Sequence, residues 1–334
     1  MISFKKLFSI FFGAFILSLN ANDSIYYNNA NLDENQTLES KKNTSKSSNQ
    51  NIANNNEIKN SENLIDYEFK DFKNDDVSLM QSIINRFSLN EETYVLPIYY
   101  SFRKPYYPVD SIAGEYSKAE VKLQVSFKTL IFENIFANIG LYFAYTQTSF
   151  FQIYAPILSS PFRDNDFIPE LIAYRPLDVH FWGGKLYNVR LGYNHISNGE
   201  GIDEVGFKKS RGIDRIFADI MYRIGNEDIW NLDIALKAWT FLRKDPINVD
   251  SYLGYSSLRL TYDLYKDHHF ILNIGNLFHN YAKYKGSIRL EYKYDLFDSG
   301  ISLYAQYFYG YGDNLFEYNI LSHKIGIGIA VTRW

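Results

Sequence analysis

Three features of this 334-residue chain predict an all-β fold, a twelve-stranded antiparallel transmembrane β-barrel. Apolar and polar residues alternate with a period of two through segment after segment, the pattern of strands with one apolar face. Charges of both signs recur on the polar face, and the segments run to about 9–11 residues, the length a tilted membrane strand needs. The connections alternate between short and long, as where turns on one side of a membrane are tight and loops on the other are extended. Composition agrees: 29 Tyr and 26 Phe contribute to 18% aromatic residues, and amphipathic rings favour a membrane–water boundary.

Residues 1–21 read as an export signal. Lys5 and Lys6 precede an apolar run from Leu7 to Leu19, and a cleavage site follows Ala21 in SLNAND. The run is short of the roughly 18 residues a spanning helix needs. Without Lys5 and Lys6 the chain carries 32 basic against 38 acidic side chains, a net charge of −6. That balance, with no basic cluster, speaks against a nucleic-acid partner. The absence of cysteine excludes a disulfide framework, a lipidated cysteine and a thiolate metal site. Residues 22–90 form a polar leader with little to bury, expected to be disordered, with a few apolar residues between Leu64 and Phe87 compatible with a short helix.

Residues 91–334 form the barrel. Strands are expected near 94–101, 118–130, 139–149, 168–176, 187–197, 213–223, 229–241, 256–266, 269–278, 286–295, 301–310 and 323–331. In one of the clearest, Val121, Leu123, Val125 and Phe127 stand opposite Glu120, Lys122, Gln124 and Ser126. In another, Ile288, Leu290, Tyr292 and Tyr294 stand opposite Arg289, Glu291 and Lys293. IGNED, YKDHH and FDSG are short connections; SNGEGIDEVGFKKSRG, RKDPINVDSYLGY and GYGDNLFEYNILS are long ones. An even strand count returns both ends to one side. Trp334 supplies a terminal aromatic, out of register with Ile325–Val331 unless the strand bulges near Thr332. A soluble sandwich or lipocalin-like barrel is the alternative; it would put the polar face in water and the apolar face in a core.

Within YNVRLGYNHISNGEG, the parity that turns Tyr187, Val189, Leu191 and Tyr193 toward lipid also turns His195 and Ser197 outward. Asp214 shares its parity with Ile216, Ala218, Ile220 and Tyr222 on the next strand, so it faces outward beyond the same long loop. Polar groups on a lipid-facing wall are costly, and three complementary ones together point to function. A serine hydroxyl needs a base to take its proton, histidine titrates near neutrality, and a carboxylate can orient and charge-balance the imidazole. The backbone N–H of Gly199 is placed to donate to an oxyanion. Such a set on the outside of a membrane barrel faces the lipid itself as substrate.

GYNHISNGEG resembles the His-x-Ser-Asn-Gly signature of the outer membrane phospholipase A family. YTQTSFF (Tyr145–Phe151), SSPFRDNDFIPEL (Ser159–Leu171), SRGIDRIF (Ser210–Phe217) and YAQYFYGYGDNLFEYN (Tyr304–Asn319) are similar to family segments in the same order. The resemblance covers about Lys118 to Trp334. It implies hydrolysis of sn-1 and sn-2 acyl esters of phospholipids and lysophospholipids through a serine acyl-enzyme, in the outer membrane with the active site toward the outer leaflet. His195 would be the general base, Ser197 the nucleophile, Asp214 the orienting acceptor and Gly199 the oxyanion donor. Well-known members carry Asn where Asp214 stands. The resemblance further implies Ca2+ and activity as a homodimer. The matching calcium ligands are the Ser210 hydroxyl, the Glu200 carbonyl and the Ser159 carbonyl of a second protomer. Asp203 is an additional candidate, in a loop longer than that of well-known members. Gln147 resembles a polar residue of the family's dimer interface; its other reading is a wall residue bonded to a neighbour. The rival function is a non-enzymatic porin or adhesin barrel, which needs no outward Ser–His–Asp set. His180, His268, His269, His279 and His323 lie at turns or strand ends and read as surface or interfacial residues.

Overall fold

The computed structural model describes residues 87–332, apart from 106–115, 137, 156–161, 202–209, 227–228, 266 and 278–284. The expected export signal, nearly all of the leader, Ser159, Asp203, His279 and Trp334 lie outside the described residues. A two-residue β1 (Phe87–Ser88) lies against β3. The barrel strands are β2 (Thr93–Ser101), β3 (Ala119–Phe136), β4 (Ile139–Phe151), β5 (Phe162–Phe181), β6 (Gly184–Ser197) and β7 (Gly212–Asn226), followed by β8 (Trp230–Asp245), β9 (Ser256–Leu264), β10 (His268–Gly275), β11 (Ser287–Asp295), β12 (Ile301–Gly310) and β13 (Ser322–Val331). Each pairs antiparallel with its neighbours in the chain, and β13 pairs with β2 to close the ring. The barrel is all-β with the expected twelve strands.

Burial decides between the membrane barrel and a soluble sheet. Glu120 and Lys122 are 1% exposed, while Ile327, Leu191 and Leu303 are 64%, 57% and 50% exposed. The polar face of each strand is therefore inside and the apolar face outside, the reverse of a soluble sheet. Such a wall is stable only in hydrocarbon. Aromatic rings mark its short-turn edge, with Trp182, Tyr265 and Phe297 exposed there. Trp182 and Gly183 both take positive φ, 48° and 77°, as the two-residue turn between β5 and β6 requires.

Charge pairs fill both ends of the lumen, since an unpaired ion there would be costly. Residues 311–321 fold back into the mouth at the long-loop end. Asp313 lies 2.9 Å from both Lys122 and Lys324, and Arg163 bridges Glu120 at 2.7 Å and Glu317 at 2.9 Å. Asp164 and Asp166 accept the backbone N–H groups of Phe316 and Leu315. At the other end, Glu92 meets Arg259 and Lys293, both at 2.8 Å.

Two expectations about the strands are corrected. β3 to β8 run 13–20 residues, whereas β2 and β9 to β13 run 8–10. The extra length of β5 is hidden in the sequence by a register shift between Pro176 and Val179, which breaks the alternation. Tyr187 also leaves the lipid-facing stripe. A shift between Leu186 and Asn188 turns its ring under Arg223, 5.2 Å away, and its hydroxyl donates to Asp233 Oδ2 at 3.4 Å.

Candidate active site

β6 and β7 run side by side into the long loop, with His195 opposite Asp214 and Ser197 opposite Gly212. The alternation that exposes Leu191, Tyr193 and Ile216 carries His195, Ser197 and Asp214 onto the outer wall. His195 Nδ1 and Asp214 Oδ1 are 2.6 Å apart. With Nδ1 engaged, Nε2 is the nitrogen left for a hydroxyl two residues along the same face.

Asp214 has two further donors. The Tyr193 hydroxyl donates to Oδ1 at 2.9 Å and Arg243 Nε to Oδ2 at 2.7 Å. Three donors leave the carboxylate little freedom to rotate. Arg243 reaches it through a break in register: Asp214 faces Arg243, but Arg215 faces Phe241, so Leu242 is an extra residue. Strict alternation with Lys237, Trp239 and Phe241 would have pointed Arg243 into the lumen. Sequence parity gave no sign of it. Tyr193 was recognisable only as part of the outward stripe.

The residues between the outward ones anchor the site from behind. Ile196 and Ile213 point inward, 8% and 0% exposed, and pack with Val249, Leu315 and Tyr318. The folded-back loop thus supports the two strands that carry the site. Beyond Ser197 the long loop starts as a clamped neck. Buried Asn198 accepts the Arg211 N–H at 2.9 Å and donates its own to the Arg211 carbonyl at 3.3 Å, and the Ser210 N–H donates to the Gly201 carbonyl at 3.2 Å. Gly199 sits in this neck at φ 65°, where a Cβ would stand 2.9 Å from the Phe167 ring, so glycine is required.

Glu200 and Ser210, two of the expected calcium ligands, lie on the two arms of this neck, beyond the ends of β6 and β7, where the Ser210 N–H meets the carbonyl of Gly201 next to Glu200. A hydroxyl and a main-chain carbonyl are hard oxygen donors and fit that cation. No cluster of three or more acidic or histidine side chains suited to a metal occurs among the described residues, so a cation here would depend on such oxygens. Gln147 lies on the outer wall at the level of Ser197, through Phe167, which pairs with both. It accepts from the Tyr145 hydroxyl at 3.1 Å and donates to Ser149 Oγ at 3.2 Å.

The family model described as Phospholipase A1 matches residues 73–331. The chain belongs to the phospholipase A1 family. The match begins well before Lys118, where the recognisable segments start. The putative phospholipase A1 of Neisseria meningitidis serogroup B is 30% identical over 253 residues, 71% of this chain and 63% of that protein. The chain thus spans just under two thirds of that relative's length. The phospholipase A1 of Escherichia coli K12 is 31% identical over 217 residues, 64% of this chain and 70% of that protein. Among solved structures, outer membrane phospholipase A from Escherichia coli superposes with a TM-score of 0.65 at 27% identity, over 73% of this chain and 98% of that one. The Salmonella typhi outer membrane phospholipase, solved as a dimer with bound calcium, gives 0.63 at 25% identity, over 73% of this chain and 92% of that one. Family and fold together identify an outer membrane barrel.

Proposed function

We propose that the chain is a calcium-dependent phospholipase that cleaves sn-1 and sn-2 acyl esters of phospholipids and lysophospholipids in the outer leaflet, acting as a homodimer. The observation that carries this reading is the 2.6 Å His195–Asp214 pair on the outward face, two residues from Ser197. His195 Nε2 takes the Ser197 proton as Oγ attacks the acyl carbonyl. The same nitrogen then protonates the departing glycerol oxygen as its bond to the acyl carbon breaks, leaving an acyl-serine. Water repeats the sequence, with His195 as base, and releases the fatty acid. Asp214 holds the His195 proton on Nδ1 and balances the imidazolium, while Tyr193 and Arg243 hold Asp214. The Gly199 N–H donates to the oxyanion of both tetrahedral intermediates.

Calcium, when bound, would supply positive charge beside that oxyanion. Its holders would be the Ser210 hydroxyl and the Glu200 carbonyl, joined by the Ser159 carbonyl of a second protomer, with Asp203 a further candidate. In a dimer Gln147, already bonded within its own wall to Tyr145 and Ser149, would face the second protomer. In this reading residues 1–21 are an export signal and 22–90 a polar leader ahead of the barrel. The test is fatty-acid release from phospholipid in detergent, with calcium or with chelator, beside Ser197→Ala. Turnover independent of calcium, or full activity in the variant, would refute the mechanism.

A further inference from the structure

We infer that Arg243 forms a phosphodiester subsite beside Ser197, a reading that rests on the proposed phospholipase activity. The bulge at Leu242 takes a side chain that parity assigns to the lumen and places it on the outer wall, its side chain 57% exposed. A cation on that wall belongs at the headgroup level, where its charge is solvated or paired. Leu242 beside it is 59% exposed, and Ile216 and Leu191 on the neighbouring strands are 41% and 57% exposed, so an apolar surface for acyl chains lies directly below.

The guanidinium also points the right way. Its Nε is bound to Asp214, its one hydrogen-bond partner among the described residues. Its Nη2 lies over Gly212: a Cβ built there would stand 3.1 Å from Nη2 and 4.0 Å from His195 Cε1. Gly212 is the register partner of Ser197. The bare glycine therefore lets the remaining N–H donors spread over the strand pair that carries the nucleophile. A planar guanidinium presents those donors in the fork that matches a phosphate. In a glycerophospholipid the phosphodiester is tied to the acyl esters by the short glycerol backbone. With an acyl carbonyl at Ser197, the phosphodiester falls within reach of this group.

A role confined to holding Asp214 would slow all substrates alike; a phosphodiester subsite discriminates between them. The test compares kcat/KM for phosphatidylcholine and for diacylglycerol of the same acyl chains, in neutral detergent micelles with calcium. Phosphatidylcholine is zwitterionic, so the net charge of the micelle stays constant. In Arg243→Gln both rates fall through Asp214, and the ratio falls by a further factor of roughly ten or more, carried by KM. Arg243→Lys keeps the charge but loses the planar fork, so it recovers only part of the ratio. An unchanged ratio in Arg243→Gln overturns the subsite. Independently of any variant, dimethyl phosphate at fixed ionic strength should compete with diacylglycerol hydrolysis by the unaltered protein; failure to compete also overturns it. If the unaltered protein cleaves neither lipid, or Ser197→Ala cleaves both at full rate, the underlying phospholipase reading fails and takes the subsite with it.

Discussion

Two histidine–aspartate pairs of equal length stand on opposite sides of the barrel wall. His195 and Asp214 meet at 2.6 Å on the outside, at the long-loop end; His269 and Asp263 meet at 2.6 Å in the lumen, at the short-turn end. The pairs differ in what surrounds them. The second nitrogen of His269 faces another carboxylate, Asp295, at 3.4 Å, and the residue two places along its face is Ile271. The corresponding place beyond His195 is Ser197. A histidine–carboxylate contact is therefore not itself a sign of catalysis. What matters is a hydroxyl on the same face, and a wall position that a substrate can reach.

This contrast is most sharply tested by removing the hydroxyl. Ser197→Ala should lower phospholipid hydrolysis by about 10³-fold or more, while His269→Gln leaves the rate within about twofold, both measured as fatty-acid release from mixed micelles. A catalytic effect of His269→Gln as large as that of His195→Gln would erase the distinction. Next in size, chelating calcium should cost at least about 10²-fold, and Ser210→Ala should raise the calcium concentration needed for half-maximal activity. Asp214→Ala should cost about 10²-fold and Asp214→Asn clearly less, since the amide oxygen can still accept a hydrogen bond from His195 Nδ1–H. Equal, full rates in both would remove Asp214 from the set.

In the lumen the effect is on stability and leaves the catalytic set untouched. Asp313→Asn leaves Lys122 and Lys324 buried without their shared carboxylate, which should cost about 3–5 kcal/mol, read as a lower urea midpoint for the folded barrel. Burial alone would raise the Asp313 carboxyl, but Lys122 and Lys324 outweigh it and hold it well below the usual carboxylate range. A lowered pKa contributes stability that is full above the ordinary carboxylate value and lost as pH falls through the folded one. The gap in stability between the unaltered chain and Asp313→Asn should therefore stay constant from neutral pH down to about pH 5 and close only below about pH 4.

Sidedness was legible because side-chain parity is a local property. It needs only an unbroken strand, so the outward placement of His195 and Ser197 could be read from Val189, Leu191 and Tyr193 alone. The same reasoning failed where a strand carries an extra residue. Tyr187 and Arg243 lie at or beside such register shifts, and a shift is set by pairing across strands, which one strand's sequence does not record. The length of β5 was lost for the same reason at Pro176. The polar interior was expected in general, but the pairing of Asp313 with Lys122 and Lys324 joins residues far apart in the chain. The His-x-Ser-Asn-Gly segment was recognisable because its chemistry is packed into a few consecutive positions, whereas Arg243 reaches the site from the far end of another strand.

The folded-back loop of residues 311–321 also bears on transport. It inserts Asp313 and Glu317 among Lys122, Arg163 and Lys324 at one mouth, and Glu92 is locked to Arg259 and Lys293 near the other. An ion entering the lumen would have to break several buried pairs, each costly to leave unmatched. The barrel should therefore show no open-pore conductance in a planar bilayer. A cell can thus carry many copies of it without a leak in its outer permeability barrier.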